Sequence, residues 1–184
     1  MKVTILTPME IEKEKTLTAL ARFTDLKHEY HVMVCGIGRE SIAKTMMTLP
    51  ESDVTVLLGF AAVIGKSAIL PESLQLGKPV EVTAGSLYGY EGQLFENGSI
   101  KVEPSKTKLP CLFSLTSDKF VKTTDLTIGT LVNMEDYTFM HLKKKDDFIV
   151  RIISDFLPHD KPIDFFKEVE AIDFKEAIEA IENR

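Results

Sequence analysis

The sequence predicts a three-layer α/β domain with a central mixed, mostly parallel sheet. Three observations favour this class: β-rich apolar runs alternate with segments of helical periodicity, the most apolar run is continuous, and no repeat or low-complexity tract interrupts the chain. A continuous apolar strand is typical of a sheet covered by helices on both faces. We expect one domain, residues 1–184, because this length suits a single hydrophobic core.

The first 50 residues contain two strand–helix steps. Val3–Leu6 predicts a strand, and Thr7–Glu10 predicts the start of a helix, with threonine as N-cap, proline in the first turn and a T-x-x-E capping box. This helix is expected to end by about Phe23. A second strand is predicted at His31–Cys35, and apolar residues recur at helical spacing over residues 42–49.

The middle of the chain is predicted to be rich in strands. Val54–Leu58 is the continuous apolar run and predicts the central strand, while residues 59–71 are expected to form a loop. Val80–Tyr90 and Gln93–Val102 alternate between apolar and polar residues, as strands do, with a two-residue hairpin turn at Asn97-Gly98 in the second.

The last part returns to alternating strands and helices. Strands are predicted at Cys111–Leu115, at about Thr127–Leu131 and at Phe148–Ile153. Helices are predicted over Asn133–Lys145 and over about Asp164–Glu182, where apolar residues recur along one face.

The composition excludes several classes of function. The 28 acidic residues outnumber the 22 basic ones and give a net charge of −6, so no nucleic-acid partner is expected. Residues 54–65 are too few to span a bilayer, and the N-terminus lacks the pattern of a signal peptide, so we expect a cytoplasmic protein without a membrane partner. Cys35 and Cys111 have no spacing typical of a disulfide framework or a metal site.

Three carboxylates follow predicted strands. Glu12 comes after the first strand, Glu135 after the strand that ends near Leu131, and Asp155 after Phe148–Ile153. Ligand sites of α/β sheets collect at the carboxyl ends of the strands, so these three acids could meet in one cleft. The alternative for each residue is an ordinary solvated surface carboxylate.

Four segments, in this order along the chain, resemble the signature segments of the purine nucleoside phosphorylase superfamily. The likeness is greatest to the methylthioadenosine/S-adenosylhomocysteine nucleosidases, whose pattern has a methionine-glutamate helix start, a G-I-G turn, V-E-M-E and R-x-I-S-D. The resemblance covers most of the chain and implies a phosphorylase/hydrolase-like α/β fold. The matching segments here are Pro8-Met9-Glu10-Ile11-Glu12, Gly36-Ile37-Gly38, Val132-Asn133-Met134-Glu135 and Arg151-Ile152-Ile153-Ser154-Asp155.

The resemblance implies a role for each of the three acids. Cleavage of a purine N-glycosidic bond builds positive charge on the ribose and negative charge on the base, so the departing base must be protonated. Asp155 matches the general acid that donates to N7, and Glu12 matches the residue that positions the attacking water. Glu135 matches the acid that binds both ribose hydroxyls.

The remaining binding residues are implied by the same resemblance. Met134 matches the residue that packs under the sugar, Phe120 the aromatic residue that stacks on the base, and Val121 the position whose backbone pairs with the base edge. Phe60 and Ala61 fall in the turn that lies by the ribose or phosphate. Phe60 replaces a small polar residue of that turn, which predicts a narrowed or rebuilt subsite.

The implied function is hydrolysis of an adenine-type purine nucleoside, and the implied partners are that nucleoside, water and a second copy of the chain in a homo-oligomer. No metal or organic cofactor is implied. Two alternatives stay open. A phosphorylase would use phosphate in place of water, although no arginine follows Gly59 as it does in the phosphorylases. A non-catalytic nucleoside-binding paralogue is suggested by Phe60, by Asn133 in place of the first acid of V-E-M-E, and by shortened loops.

Overall fold

The computed structural model describes residues 1–89, 101–122, 124–126, 129–159 and 162–184. Over these ranges the chain alternates between strands and helices, which confirms a mixed α/β fold. None of the described helices is long and apolar enough to cross a membrane. The elements are β1 (Lys2–Thr7), α1 (Glu10–Leu20), β2 (Glu29–Val34), α2 (Arg39–Thr48), β3 (Val54–Ile64), β4 (Pro79–Leu87), β5 (Lys101–Val102), β6 (Cys111–Thr116), β7 (Leu131–Asn133), α3 (Asp136–Leu142), β8 (Phe148–Leu157), α4 (Phe165–Val169) and α5 (Lys175–Glu182).

The described strands form one mixed sheet that closes on itself. Strands β2, β1 and β3 are parallel neighbours, and β3 then pairs with both β7 and β8. Strand β7 continues through β6 to β4, and β4 pairs with β8. Strands β3, β7, β6, β4 and β8 therefore make a five-stranded ring, a closure that the predicted layered sheet did not include.

Helices cover both faces of the sheet where β1, β3 and β8 lie side by side. On one face, Ile5 and Val56 belong to an apolar cluster with residues of α1, α4 and α5. On the other face, their neighbours Leu6 and Leu57 pack with Ile42 of α2 and with residues of α3. Successive strand residues alternate between the two clusters, which explains why the central strand has no polar face.

Two central strands are longer than predicted. Residues 59–64 were expected in a loop but continue β3, and β8 runs on past Ile153 to Leu157. The reason is that the two strands pair in parallel along this extension, with a register shift between Ala61 and Ala62. Asp155 therefore lies within a strand, where it is the register partner of Ala62, and does not follow the strand's end.

The helices also differ from the prediction. Thr7 was predicted as the first N-cap, but it remains in β1 as the partner of Val34, and Met9 is the N-cap of α1. The predicted helix over 164–182 is divided into α4 and α5 by residues 170–174, where Asp173 accepts the N–H of Lys175. Most of the predicted strand 93–102 and its hairpin turn, the end of the strand predicted to reach Tyr90, and the first residues of the predicted strand 127–131 lie outside the described residues.

Candidate active site

A cavity of about 310 Å³ opens beside the carboxyl-terminal ends of the central strands. Its walls come from the start of α1, the loop after β2, strands β3, β7 and β8, the segment after β6, and α4. All eight site residues predicted from the sequence line it. These are Glu12, Phe60, Ala61, Phe120, Val121, Met134, Glu135 and Asp155, and Lys119, Ser154, Phe165 and Phe166 are among the other lining residues.

Glu12 is held rigidly by two backbone donors. The N–H of Met9 donates to its Oε2 and the N–H of Phe60 donates to its Oε1, both at 2.7 Å. The side chain is buried, and this desolvation raises the pKa of Glu12 to about 7, although the two N–H groups and the charge of Arg151 oppose the rise. A carboxylate with this pKa can exchange a proton near neutral pH.

Gly59 leaves the space that Glu12 occupies. A Cβ atom at this position would lie 2.7 Å from Glu12 Oε1, 2.7 Å from Arg151 Nη1 and 2.9 Å from Pro8 Cδ. Real Cβ atoms do not approach other atoms so closely, so a side chain here would displace the two charged groups. Gly59 is required by this close approach, and its backbone needs no special conformation.

Glu135 is anchored by a buried arginine. Arg151 Nη2 donates to Glu135 Oε2 at 2.9 Å, and the N–H of Gly38 donates to Glu135 Oε1 at 2.8 Å. The guanidinium also donates to Asp136 Oδ1 from Nε at 2.8 Å and from Nη2 at 2.6 Å. Burial alone would lower the pKa of Arg151, but Asp136 and Glu135 raise it, so the group stays charged.

Asn133 supports this charge network as a neutral residue. Its Oδ1 accepts the N–H groups of Glu135 at 3.0 Å and Asp136 at 2.9 Å, so it holds the backbone where β7 leads into α3. Its Nδ2 donates to Asp136 Oδ2 at 2.6 Å, and Ser114 Oγ donates to the same oxygen at 2.7 Å. The site therefore keeps a second carboxylate beside Glu135, but it is supplied by Asp136 and not by residue 133.

Asp155 faces the cavity from β8 and does not face bulk solvent, since its side chain is 8% exposed. Ser154 Oγ donates a hydrogen bond to its Oδ1. On the other side, His159 Nε2 lies 2.6 Å from Asp155 Oδ2. Both oxygens of the carboxyl group are thus engaged by side chains, and neither accepts an N–H from the described part of the backbone.

Aromatic side chains form the mouth and one wall of the cavity. Phe120 is 53% exposed, and its ring is edge-on to that of Phe165 with centroids 6.4 Å apart. The ring of Phe60 packs edge-on against Phe165 at 5.8 Å and against Phe174 at 5.1 Å. Phe60 therefore joins the cavity wall to the core, while its N–H holds Glu12 and its carbonyl accepts from Arg151 Nη1 at 3.2 Å.

Several residues of the site had no predicted role. Arg151 is the clearest example, because the sequence did contain a signal for it. A lone arginine within the apolar run Phe148–Ile153 is expected to be buried, and a buried arginine needs a carboxylate partner. The structure shows that Asp136, beside Glu135, is one of the two partners of Arg151. His159 and Phe165 carried no comparable signal, because their contacts depend on where β8 ends and how the chain turns after it.

The described residues include no group of three His, Cys, Asp or Glu side chains that could hold a metal ion. The chemistry available in the cavity is that of three carboxyl groups, of which Glu12 and Glu135 are fixed in orientation by backbone N–H groups. An apolar wall beside such groups suits a ligand that combines a flat ring with hydroxyl groups.

No protein-family model matches the sequence, and no curated protein matches it significantly. Solved structures do match over nearly the whole chain, and they share its fold. The similar structures are 5′-methylthioadenosine/S-adenosylhomocysteine nucleosidases, so the resemblance seen in the sequence is confirmed at the level of the fold.

Three of these structures illustrate the match. The nucleosidase from Neisseria meningitidis, in complex with methylthio-immucillin-A, is 17% identical with a TM-score of 0.69, over 100% of this chain and 99% of that one. The enzyme from Colwellia psychrerythraea 34H, in complex with adenine, is 18% identical with a TM-score of 0.68, over 99% and 92%. That from S. pneumoniae, with a transition-state inhibitor, is 16% identical with a TM-score of 0.67, over 98% and 96%.

Proposed function

We propose that this chain is a nucleosidase that hydrolyses the N-glycosidic bond of an adenine-type purine nucleoside. The observation that carries the proposal is the meeting of Glu12, Glu135 and Asp155, far apart in sequence, around one cavity with an aromatic wall. The fold shared with nucleosidases, some of them bound to adenine or to a transition-state inhibitor, supports the same conclusion. We further propose that residues 1–184 act as one nucleosidase-like domain.

The reaction assigns one task to each carboxyl group. Glu12 accepts a proton from the water that attacks C1′, and its pKa of about 7 suits a base that works near neutral pH. Asp155 donates a proton to N7 of the purine as the C1′–N9 bond breaks and its electron pair passes to the base. Glu135, held by Arg151 and the N–H of Gly38, accepts hydrogen bonds from the ribose hydroxyls.

The remaining cavity residues bind the substrate. Phe120, exposed at the mouth, stacks on the purine, and the backbone at Val121 pairs with its edge. Met134 packs under the sugar, and Phe60 and Ala61 form the wall of β3 beside it. These roles follow from the resemblance and from the position of each residue on the cavity surface.

Water is a better candidate than phosphate for the nucleophile. Lys119 is the one cationic side chain among the described residues that line the cavity, and it is exposed. The buried guanidinium of Arg151 already donates to Glu135, Asp136 and the carbonyl of Phe60, so it has little capacity left for an anion. A phosphorylase needs cationic donors for its phosphate, which favours hydrolysis.

The test is a panel of purine nucleosides assayed for free base, with and without phosphate. We expect release of adenine from adenosine or 5′-methylthioadenosine, at a rate that phosphate does not change. Ribose 1-phosphate as a product would identify a phosphorylase instead. Tight binding of adenine or the nucleosides without any release of base would identify a non-catalytic binding protein.

A further inference from the structure

We propose that His159 is a positioning residue that orients Asp155 and returns a proton to it after each turnover. The inference rests on the proposed nucleosidase function. It assigns a role to a side chain outside the cavity lining that the sequence did not single out. Among the described residues, His159 makes an ion-pair contact with Asp155 and with no other acid.

The position of His159 suits this role. Its Nε2 lies 2.6 Å from Asp155 Oδ2, and the two side chains are 9% and 8% exposed. Asp155 lines the cavity, whereas His159 does not, so the imidazole stands behind the carboxyl group as seen from a ligand. A proton can therefore reach Asp155 through His159 while the substrate or product still covers the cavity side.

The chain holds the imidazole at this place through a second contact. The backbone N–H of His159 donates to the carbonyl of Lys122 at 3.2 Å, in the segment that carries Phe120 and Val121. The His159 ring also lies beside Phe120, with centroids 6.5 Å apart. His159 thus links the end of β8 to the segment proposed to bind the base. The orientation of the Asp155 carboxyl group is therefore coupled to the position of the purine.

The proton balance includes a step that a donor of this kind can carry out. In the chemical step the protonated Asp155 gives its proton to N7, and the proton of the attacking water passes to Glu12. Asp155 is then a carboxylate and must be protonated again before the next substrate. The imidazolium of His159 gives its Nε2 proton to Asp155 Oδ2, becomes neutral imidazole, and takes a proton from solvent, which also receives the one that Glu12 releases.

Ser154, the other partner of Asp155, cannot replace His159 in this step. Its hydroxyl donates a hydrogen bond to Oδ1, but a serine hydroxyl does not give up its proton near neutral pH. The two partners therefore differ in a way that mutation can separate. Loss of Ser154 removes a hydrogen bond alone, whereas loss of His159 removes a hydrogen bond and a proton source.

The first experiment compares His159→Gln with His31→Gln, an exposed histidine on β2 that serves as the matched control. We expect His159→Gln to lower kcat by roughly 10- to 100-fold with little change in KM, because binding is kept while reprotonation is lost. His31→Gln should retain the wild-type kcat. Equal kcat values for His159→Gln and the wild type would overturn the inference.

The second experiment distinguishes a proton source from a merely structural contact. In His159→Ala, added imidazole should restore turnover, and the restored rate should follow the concentration of imidazolium as the buffer ratio is changed at constant total imidazole. A structural role does not depend on the proton that the imidazole carries. Two results would contradict the proposed role. One is a restored rate that does not change with the buffer ratio, and the other is no restored rate in a variant that unfolds at the wild-type temperature.

A measurement on the unaltered protein covers the case in which the variants fail to fold. In nitrogen-15 histidine-labelled wild type we expect a downfield-shifted Nε2 proton on His159, as a short hydrogen bond to a carboxylate produces, and loss of that shift in Asp155→Ala. A His159 Nε2 proton without the downfield shift in the wild type overturns the pairing. If the wild type itself releases no base, the proposed nucleosidase function is wrong. If the wild type is active and the His159 variants have the same kcat, only the role of His159 is wrong.

Discussion

Arg151 and Glu135 form a buried ion pair, with Nη2 of the arginine 2.9 Å from Oε2 of the glutamate. The arginine comes from the middle of β8 and the glutamate from the residue that precedes α3, so the pair joins two of the elements that enclose the cavity. Because Arg151 also binds Asp136, one cation pairs with two carboxylates inside the protein. The stability of the fold and the orientation of the Glu135 side chain therefore depend on the same guanidinium.

Arg151→Met is expected to destabilise the protein by about 3–5 kcal/mol, since it leaves two carboxylates buried without a partner. The measurement is urea unfolding at constant pH. The matched control is Arg22→Met, which removes the exposed pair with Asp173 and should cost less than about 1 kcal/mol. Equal losses in the two variants would show that the buried network contributes no more than a surface pair.

Asp155→Asn is expected to lower the rate of base release by at least about 100-fold, because the amide cannot donate the proton that the leaving base needs. The thermal unfolding temperature should stay close to that of the wild type, and adenine should still bind, as judged by calorimetry. Turnover at the wild-type rate would contradict the assignment of Asp155 as the general acid. Loss of adenine binding would instead indicate a defect in the cavity.

Glu12→Gln should change how stability depends on pH. The pKa of Glu12 is raised from its ordinary value of 4.5 to about 7, so between these pH values the folded state keeps a proton that the unfolded state releases. Stability from this group is therefore present below pH 4.5 and is lost as the pH rises to about 7, by about 3 kcal/mol. The free energy of unfolding of Glu12→Gln relative to wild type should rise by that amount from pH 4.5 to pH 8.

The same variant tests the role of Glu12 in the reaction. Glutamine cannot accept the proton of the attacking water, so Glu12→Gln should lose activity at every pH, including the pH values at which its stability relative to wild type is highest. In the wild type, the rate should rise with pH through about 7 as Glu12 becomes ionised. A stability difference that is constant across this pH range would show that Glu12 does not titrate there.

Gly59→Ala is expected to reduce both stability and activity, because the new methyl group would overlap Glu12 Oε1 and Arg151 Nη1. We expect a loss of about 1–3 kcal/mol, as is typical of overpacking, and at least a tenfold fall in kcat. Gly85→Ala is the control, since a Cβ atom there would lie 3.0 Å from Met140 Sδ and 3.3 Å from the carbonyl oxygen of Ser114, and near no charged group of the site. Unfolding and turnover of the two variants should differ clearly, and similar values would refute the steric argument.

Phe120→Ala should raise KM for the nucleoside by roughly 5- to 150-fold, since stacking of a base on an aromatic ring contributes about 1–3 kcal/mol. Stability should change little because the ring is 53% exposed. Phe120→Tyr keeps the ring and should retain most of the affinity. An unchanged KM in Phe120→Ala would mean that the purine binds elsewhere in the cavity.

Much of the fold could be predicted because local periodicity reports burial. The run at Val54–Leu58 is apolar throughout, and the structure covers this strand with helices on both faces. The lengths of β3 and β8 could not be predicted in the same way. Residues 59–64 and 154–157 contain glycine, serine and aspartate, and they are extended because each strand pairs with the other.

The candidate site shows the same division. Glu12, Glu135 and Asp155 were identified from strand ends and from the resemblance, and the structure brings them to one cavity. The carboxylate partner of Arg151 at Asp136 was missed, although a lone arginine in an apolar run predicts a buried partner. The pairing of His159 with Asp155 had no signal, because four residues along an extended chain do not bring two side chains together.

The sequence by itself determined the alternation of strands and helices, the apolar centre of the sheet and the residue types available for acid–base chemistry, since these depend on local spacing and composition. The tertiary structure alone decided which charges meet. Burial raises the pKa of Glu12, one guanidinium binds two acids, and a histidine lies beside Asp155, because β1 pairs with β3 and β3 pairs with β8.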